Sequence, residues 1–246
     1  MAQTPDPSAP PKTYTYLIYH KLAPGLTLQD ALAVEREWKV INQAAVDEGT
    51  LIGWHMMVKQ MSSNVNPEYD YVSCIVSPVM ALRGASPAAM TKIYGDSVQT
   101  RMANLQKRDR QVAPVVKFEV WENLDVQLGT GFVPGKTPLV VVDFMKLRDP
   151  QTDWPKAMAG LKTMGAAQVA GGQLAGWGFS GLIVPNGTEK GYSFAMFRPV
   201  GNLNALAGVA EPKNLDEQKQ RAKMFETVRQ EVFRFEMFTL RPGVGK

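Results

Sequence analysis

Apolar and polar residues alternate from Tyr14 to Leu22, a period of two that predicts a half-buried strand. Pro24-Gly25 breaks it, and Thr27 with Asp30 three residues on forms a helix N-terminal box. Leu28, Leu32, Trp38, Ile41 and Ala45 then mark one face of a long helix ending near Gly49. Strands are predicted again over 51–61 and 69–76, with turn formers between them from Ser62 to Pro67. Helical sequence opens at Ser86-Pro87 and runs, with a break around Gly95-Asp96, to Gln111. Residues 115–121 close the series as a fourth strand. The order β-α-β-β-α-β is the split βαβ, or ferredoxin-like, arrangement.

The pattern then returns, degraded. Tyr16 to Leu22 (YLIYHKL) is answered by Val141 to Leu147 (VVDFMKL), and Leu51-Ile-Gly-Trp54 by Leu174-Ala-Gly-Trp177. Tyr71 is answered by Tyr192, and Lys117-Phe-Glu-Val-Trp121 by Arg234-Phe-Glu-Met-Phe238. The separation drifts from 125 (Lys21 to Lys146) through 123 and 121 to 117 (Glu119 to Glu236). Four blocks in one order at nearly one separation predict a tandem duplication of a domain-sized unit. The expected organisation is a proline-rich, disordered tail over 1–13, a first unit over 14–123, a linker over 124–137 and a second unit over 138–246. Asp153 is the expected cap of the second unit's first helix, and Asn214 with Glu217 opens its last one.

A four-stranded sheet with helices on one face leaves its other face bare. Two such sheets in one α+β chain are expected to pack sheet to sheet around a barrel-like interior. Strand parity sets Val116, Phe118 and Val120 toward the helices and Lys117, Glu119 and Trp121 inward. The same reading sends Arg234, Glu236 and Phe238 inward and buries Phe233 and Phe235 beneath the helices. Tyr16, Ile18 and His20 share a face, matched by Val141, Asp143 and Met145. Cation, carboxylate and aromatic in both units read either as a salt-bridge ladder along the seam or as the lining of a ligand pocket.

Composition narrows the chemistry. With 45% hydrophobic residues, 20% charged and a net charge of +4, the chain of 246 residues is an ordinary packed protein without a strong nucleic-acid footprint. No apolar run reaches membrane-spanning length. The single cysteine, Cys74, lies in an apolar strand and reads as a buried thiol. No apolar signal segment opens the chain, yet Ala2-Gln3 before a proline-rich spacer matches an exported chain behind an added Met. Export and a cytoplasmic location both stay open. There is no P-loop, nucleophile elbow or dinucleotide fingerprint. The two histidines, His20 and His55, lie on different strands without metal-ligand spacing, so neither metal nor cofactor is expected. Lys190-Gly-Tyr-Ser-Phe-Ala-Met-Phe197 is similar to the third strand of RNA-recognition motifs. Its first-unit counterpart loses the Gly, Phe and basic residue, so nucleic acid is not the expected partner.

Val34 to Trp54 (VEREWKVINQAAVDEGTLIGW) with Glu68-Tyr-Asp-Tyr71 resembles a family of uncharacterised bacterial proteins. The pattern runs through Glu35, Arg36, Glu37, Trp38, Lys39, Ile41, Val46, Gly49, Trp54 and Tyr69 to Val72, and departs at Val40 and Asn42, where the family has Pro and His. The resemblance implies the dimeric α+β barrel superfamily, which includes cofactor-free monooxygenases and the haem-dependent chlorite dismutase-like enzymes. The latter hold haem through a histidine in the second unit, and this chain has none after His55. The expected function is binding of a small hydrophobic or aromatic molecule, with a monooxygenase-like activity that needs no cofactor. The alternatives are a non-catalytic exported binding or assembly module, and RNA binding through the strand aromatics. His20 and Asp143 are the candidate catalytic residues. Tyr16, His55, Tyr71, Lys117, Glu119, Trp121, Tyr192, Arg234 and Glu236 are the candidate ligand contacts, and a homodimer is the candidate assembly.

Overall fold

The hydrophobic pattern resolves into two successive β-α-β-β-α-β runs. A computed structural model of the chain describes residues 11–64, 67–130, 132–187, 190–207 and 215–241. The first run is β1 (Thr13–His20), α1 (Leu28–Asp47), β2 (Gly53–Ser62), β3 (Tyr71–Ser77), α2 (Pro87–Tyr94), α3 (Val98–Val112) and β4 (Val115–Leu128). The second is β5 (Leu139–Leu147), α4 (Trp154–Ala170), β6 (Gly176–Val184), β7 (Phe194–Val200), α5 (Asn204–Ala207), α6 (Leu215–Met224) and β8 (Phe225–Phe238). Local signals act where the sequence puts them. Thr27 and Asp30 form the capping box of α1, Ser86 caps α2, a 3-10 turn over Gly95–Ser97 separates α2 from α3, and Asp153 caps α4. Asn214 and residues 1–10 lie outside the described residues. β4 runs on through Leu128, into the stretch read as linker, because Asp125 to Leu128 pair with Phe179 to Gly176 of β6.

The strands close in the order β1-β3-β2-β8-β5-β7-β6-β4. Each half supplies four strands in equivalent order, and the halves join where β2 meets β8 and β4 meets β6. The two sheets enclose one interior, as expected for this α+β class. Their edges are also hydrogen-bonded, so among the described strands no edge is left open. Helices cover the outside of each sheet over a separate apolar cluster, one around Trp54 and one around Trp177, each ring 1% exposed. Gly165 on α4 lies against the Trp177 ring: a Cβ there would stand 2.6 Å from it.

Strand register corrects half of the expected internal correspondence. Tyr16 pairs with Ile75 and Tyr19 with Val72, while Val141 pairs with Arg198 and Phe144 with Ala195. This keeps Lys21 with Lys146 and Trp54 with Trp177, but sets Tyr192 opposite Tyr69 in the internal match and Phe194 opposite Tyr71. Tyr19 and Leu17 pair with Lys117 and Glu119; Phe144 and Val142 pair with Arg229 and Glu231. The counterparts of Lys117, Glu119 and Trp121 are therefore Arg229, Glu231 and Phe233, not Arg234, Glu236 and Phe238. The cause is the helical connection before the last strand, 8 and 15 residues in α2 and α3 against 4 and 10 in α5 and α6. The separation falls in one step from 123 at Val72 and Ala195 to 112 at Glu119 and Glu231.

Parity changes accordingly. Glu119 and Trp121 face inward as expected, but so do Glu231, Phe233 and Phe235. Arg234 and Glu236 pair at 2.5 Å on the outer face. Val116 and Phe118, expected beneath the helices, are 49% and 43% exposed; Val120 alone of the three joins the core cluster. Truncation tests this register. Phe233→Ala should cost about 3–5 kcal/mol, while Arg234→Ala and Phe118→Ala should stay near 1 kcal/mol or below, read from urea midpoints.

Candidate functional site

Two carboxylates organise one end of the barrel interior. Glu119, on β4, is 0% exposed and accepts hydrogen bonds from the hydroxyls of Tyr19 and Tyr192, both at 2.6 Å, from the Trp121 indole at 3.2 Å and from Lys190 at 2.5 Å, with Lys117 at 3.6 Å. Glu231, on β8, is 1% exposed and accepts from the Tyr69 hydroxyl and from Ser62 at 3.1 Å, with Lys59 at 3.3 Å and Arg229 at 3.7 Å. Each glutamate takes a basic residue two positions upstream on its own strand and a tyrosine and lysine from the other half. Burial works against the Glu119 charge, but Lys117 and the three hydrogen bonds outweigh it and hold its carboxyl below the usual range. Burial also brings Lys117 down to about 8 and raises the Tyr19, Tyr69 and Tyr192 phenols.

Above this ladder the interior opens into a cavity of about 460 Å³. Tyr19, Trp121 and Phe144 line it, and the Tyr19 and Trp121 polar atoms reach Glu119, so the ladder holds its floor. Tyr192 stacks on Trp121 with centroids 6.1 Å apart and planes within 8°. The β4–β5 connection contributes Phe132, Val133 and Pro134, and the chain beyond β8 contributes Leu240 and Arg241. The walls are mostly aliphatic and aromatic. One polar strip crosses them: the Asn123 amide donates to Thr13 at 3.1 Å, and its oxygen accepts from Thr15 at 3.1 Å and Ser180 at 2.9 Å. His55 also lines the cavity; its Nδ1 is buried without a hydrogen-bond partner. Burial, helped by Arg241, lowers its pKa to about 4, so the imidazole is neutral at ordinary pH.

The remaining candidates are elsewhere. His20 and Tyr71 stack on each other with centroids 4.6 Å apart, on the helix side of β1 and β3. Tyr16 is on that side too and donates to the Met80 carbonyl. Asp143 lies on the outer side of β5, bound by Arg198 and Arg221, each at 2.7 Å, and by Gln230 at 2.6 Å. It anchors β7, α6 and β8 and does not face the cavity. His20 and Asp143 are thus 3% and 0% exposed on opposite sheets, never on one site. Lys117, Glu119, Trp121, Tyr192 and His55 are brought to the interior. Sequence reading missed Tyr19, Tyr69, Asn123, Arg229 and Glu231; Arg229-Gln-Glu-Val-Phe233 carried the signal for two of them, as a block matching Lys117 to Trp121.

No protein-family model matches the chain, and no curated protein matches it in sequence. Solved structures match its fold. A proposed monooxygenase from Lactobacillus acidophilus NCFM aligns with a TM-score of 0.58 at 11% identity, covering 94% of this chain and 97% of that one. A second proposed monooxygenase, from Fusobacterium nucleatum subsp. nucleatum, gives 0.58 at 10% identity over 94% and 95%. A mutant chlorite dismutase from Candidatus Nitrospira defluvii gives 0.51 at 8% identity over 90% of each chain. The chain has the dimeric α+β barrel fold. A haem held by a histidine of the second half does not fit: both histidines lie in the first half, and the space beneath α4 is filled by Met145, Phe179, Phe194 and Phe225. No helix among the described residues is long and apolar enough to cross a membrane.

His55 generates a pH test. Its folded pKa, about 4, is below the 6.5 of the free imidazole, so below pH 6.5 the unfolded chain binds the proton more readily. Stability contributed by the neutral ring is therefore present above pH 6.5 and is lost as pH falls from 6.5 toward 4, by about 3 kcal/mol. Urea midpoints should fall across that window in the parent and stay flatter in His55→Gln.

Proposed function

We propose that the barrel binds a flat, largely apolar aromatic molecule in its interior cavity. The observation that supports this is the cavity itself: about 460 Å³, within the range of small-molecule sites, with an aromatic floor, mostly apolar walls, and polar groups in the Asn123 strip, His55, Thr239 and Arg241. Trp121, Tyr19 and Phe144 would contact the ring faces. Asn123, Thr15 and Ser180 would fix one hydrogen-bonding edge, and neutral His55 would accept from a ligand hydroxyl. Burying such a ligand exchanges hydrated apolar surface for contact with the walls, at roughly 25 cal/mol per Å².

Cofactor-free oxygenation is the catalytic form of this reading, and its support is shared fold alone. It needs a group that takes a proton from an electron-rich substrate. His55 is the cavity base in reach, and a pKa of about 4 makes it a weak one. That observation favours binding without turnover, the non-catalytic alternative. RNA binding lacks its platform: the inner sheet faces are closed inside the barrel, and Phe194 and Met196 of the RNA-motif-like segment are buried under α4 and α6. A homodimer belongs to the proposal through the exposed apolar Val116, Phe118 and Met80 around Tyr16.

Titration with naphthoquinone-, anthraquinone- and flavonoid-type compounds, followed by Trp fluorescence, tests the site. Saturable quenching should weaken at least tenfold in Ala195→Phe, which fills the cavity, and about tenfold in Asn123→Leu, near 1.4 kcal/mol. An oxygen electrode run on the same samples separates turnover from binding. A parent protein that binds none of the panel, or an Ala195→Phe variant that binds as well as the parent, would remove the cavity as the site.

A further inference from the structure

His20, Glu35 and Asp109 come from β1, α1 and α3 and meet between the first sheet and its helices. One donor atom from each lies within 4.8 Å of the others. Glu35 is 1% exposed and His20 3%. The His20 Nδ1–H donates to the Ala113 carbonyl at 2.9 Å, which leaves Nε2 as the ring's lone-pair donor. Metal-bound imidazoles are commonly fixed this way by a backbone carbonyl on their other nitrogen. Glu35 receives the Tyr71 hydroxyl and, at 3.3 Å, Ser73. Asp109 receives the Trp38 indole, while its Oδ1 is buried with no partner.

The second half shows that the fold does not need polar groups there. Strand register matches His20, Tyr71 and Ser73 to Met145, Phe194 and Met196. Counting back from the left-handed glycines that end α1 and α4, Gly49 and Gly172, matches Glu35 to Met158. All four replacements sit in one apolar cluster. Two carboxyls and an imidazole at the equivalent place cost desolvation that the apolar set avoids. Asp143, the buried carboxylate on the outer side of β5 in the other half, is paired with Arg198 and Arg221. Among the described residues no lysine or arginine ion pair reaches Glu35 or Asp109; the charges acting on Asp109 are His20 of the cluster itself and then Arg110, exposed on the solvent side of α3.

We propose that His20, Glu35 and Asp109 bind a divalent first-row transition cation between β1, α1 and α3. One nitrogen and two carboxylate donors suit zinc, manganese or cobalt better than calcium. Donors of a tetrahedral site stand about 3.4 Å apart, so the cluster must close by about 1.4 Å from its 4.8 Å span. Asp109, half-buried on α3, is the arm that moves and the route of entry. The site is separate from the interior cavity, on the other side of the sheet.

Metal-stripped protein titrated with cobalt(II) chloride tests this directly. The expected result is one equivalent bound per chain, visible d–d bands from a nitrogen–oxygen donor set, and displacement by zinc. Asp109→Asn should weaken binding at least tenfold. Because single substitutions at buried positions can unfold the sheet, the second variant is His20→Met with Glu35→Met, which copies the apolar solution of the other half. It should fold, read by circular dichroism, and bind no cobalt at this site, while Glu236→Gln binds as the parent does. No uptake by the parent at hundred-micromolar cobalt, or full uptake by both Asp109→Asn and the double variant, overturns the proposal.

Discussion

Two buried carboxylates decide how the halves of this chain meet. An ionised glutamate inside a barrel is costly unless its lone pairs are filled and its charge is matched. Glu119 meets that condition only when Tyr192 and Lys190 of the second half are in place, and Glu231 only when Tyr69, Ser62 and Lys59 of the first half are. Each half therefore completes the other's charge. Apolar contacts between two sheets tolerate sliding, whereas these bonds are lost within an ångström or so. The ladder acts as a registration device for the closed barrel, and the β2–β8 and β4–β6 edge bonds then follow from strands already held side by side.

The same ladder explains why a cavity persists. An interior lined only by aliphatic chains would pack shut, since interiors approach crystal density. Here the lower end is fixed at the separation that the glutamates, tyrosines and lysines require, and Trp121 and Tyr19 are tied to Glu119 by their polar edges. The rings cannot turn upward to fill the space without giving up those bonds. Above them the strands contribute small side chains such as Thr15, Val72 and Ala195. Stability at one end and empty volume at the other are two consequences of one polar arrangement.

The fold was largely legible because its signals are local. Thr27 with Asp30, Ser86 before Pro87, and Asp153 act within one turn of their helices, and tertiary packing did not override them. Facing of the side chains was legible only where register was. Lys117, Glu119 and Trp121 were readable because β4 follows its helix directly. Glu231 was not, because Arg234-Phe-Glu repeats the Lys117-Phe-Glu tripeptide pattern at a separation that fits a smooth drift, and the shortened α5–α6 connection breaks that drift. His20 and Asp143 were misplaced for another reason. Alternation shows which residues share a face but not which face is inside, and in β1 and β5 the more polar face packs under helices. The His20–Glu35–Asp109 meeting was out of reach, since its members are brought together by α1 and α3 lying over β1.

Internal symmetry and its loss then bear on what the cavity can select. In the pairing register Thr15, Asn123 and Ser180 match Val140, Phe235 and Met57. One wall carries a chain of hydrogen-bonding groups, and the wall related to it by the barrel's approximate two-fold is apolar. A symmetric lining would accept a ligand equally in two opposed orientations. This lining distinguishes them by the hydrogen-bonding capacity that Asn123, Thr15 and Ser180 keep beyond the bonds they make to one another, which a polar ligand edge could use on one wall and not on the other. The difference between the halves thus gives an approximately two-fold barrel an interior with two unlike walls. The same difference leaves His55 on one side only, where its counterpart in register is Gly178, so on the proposed binding reading its hydrogen bond would reach one defined end of a ligand.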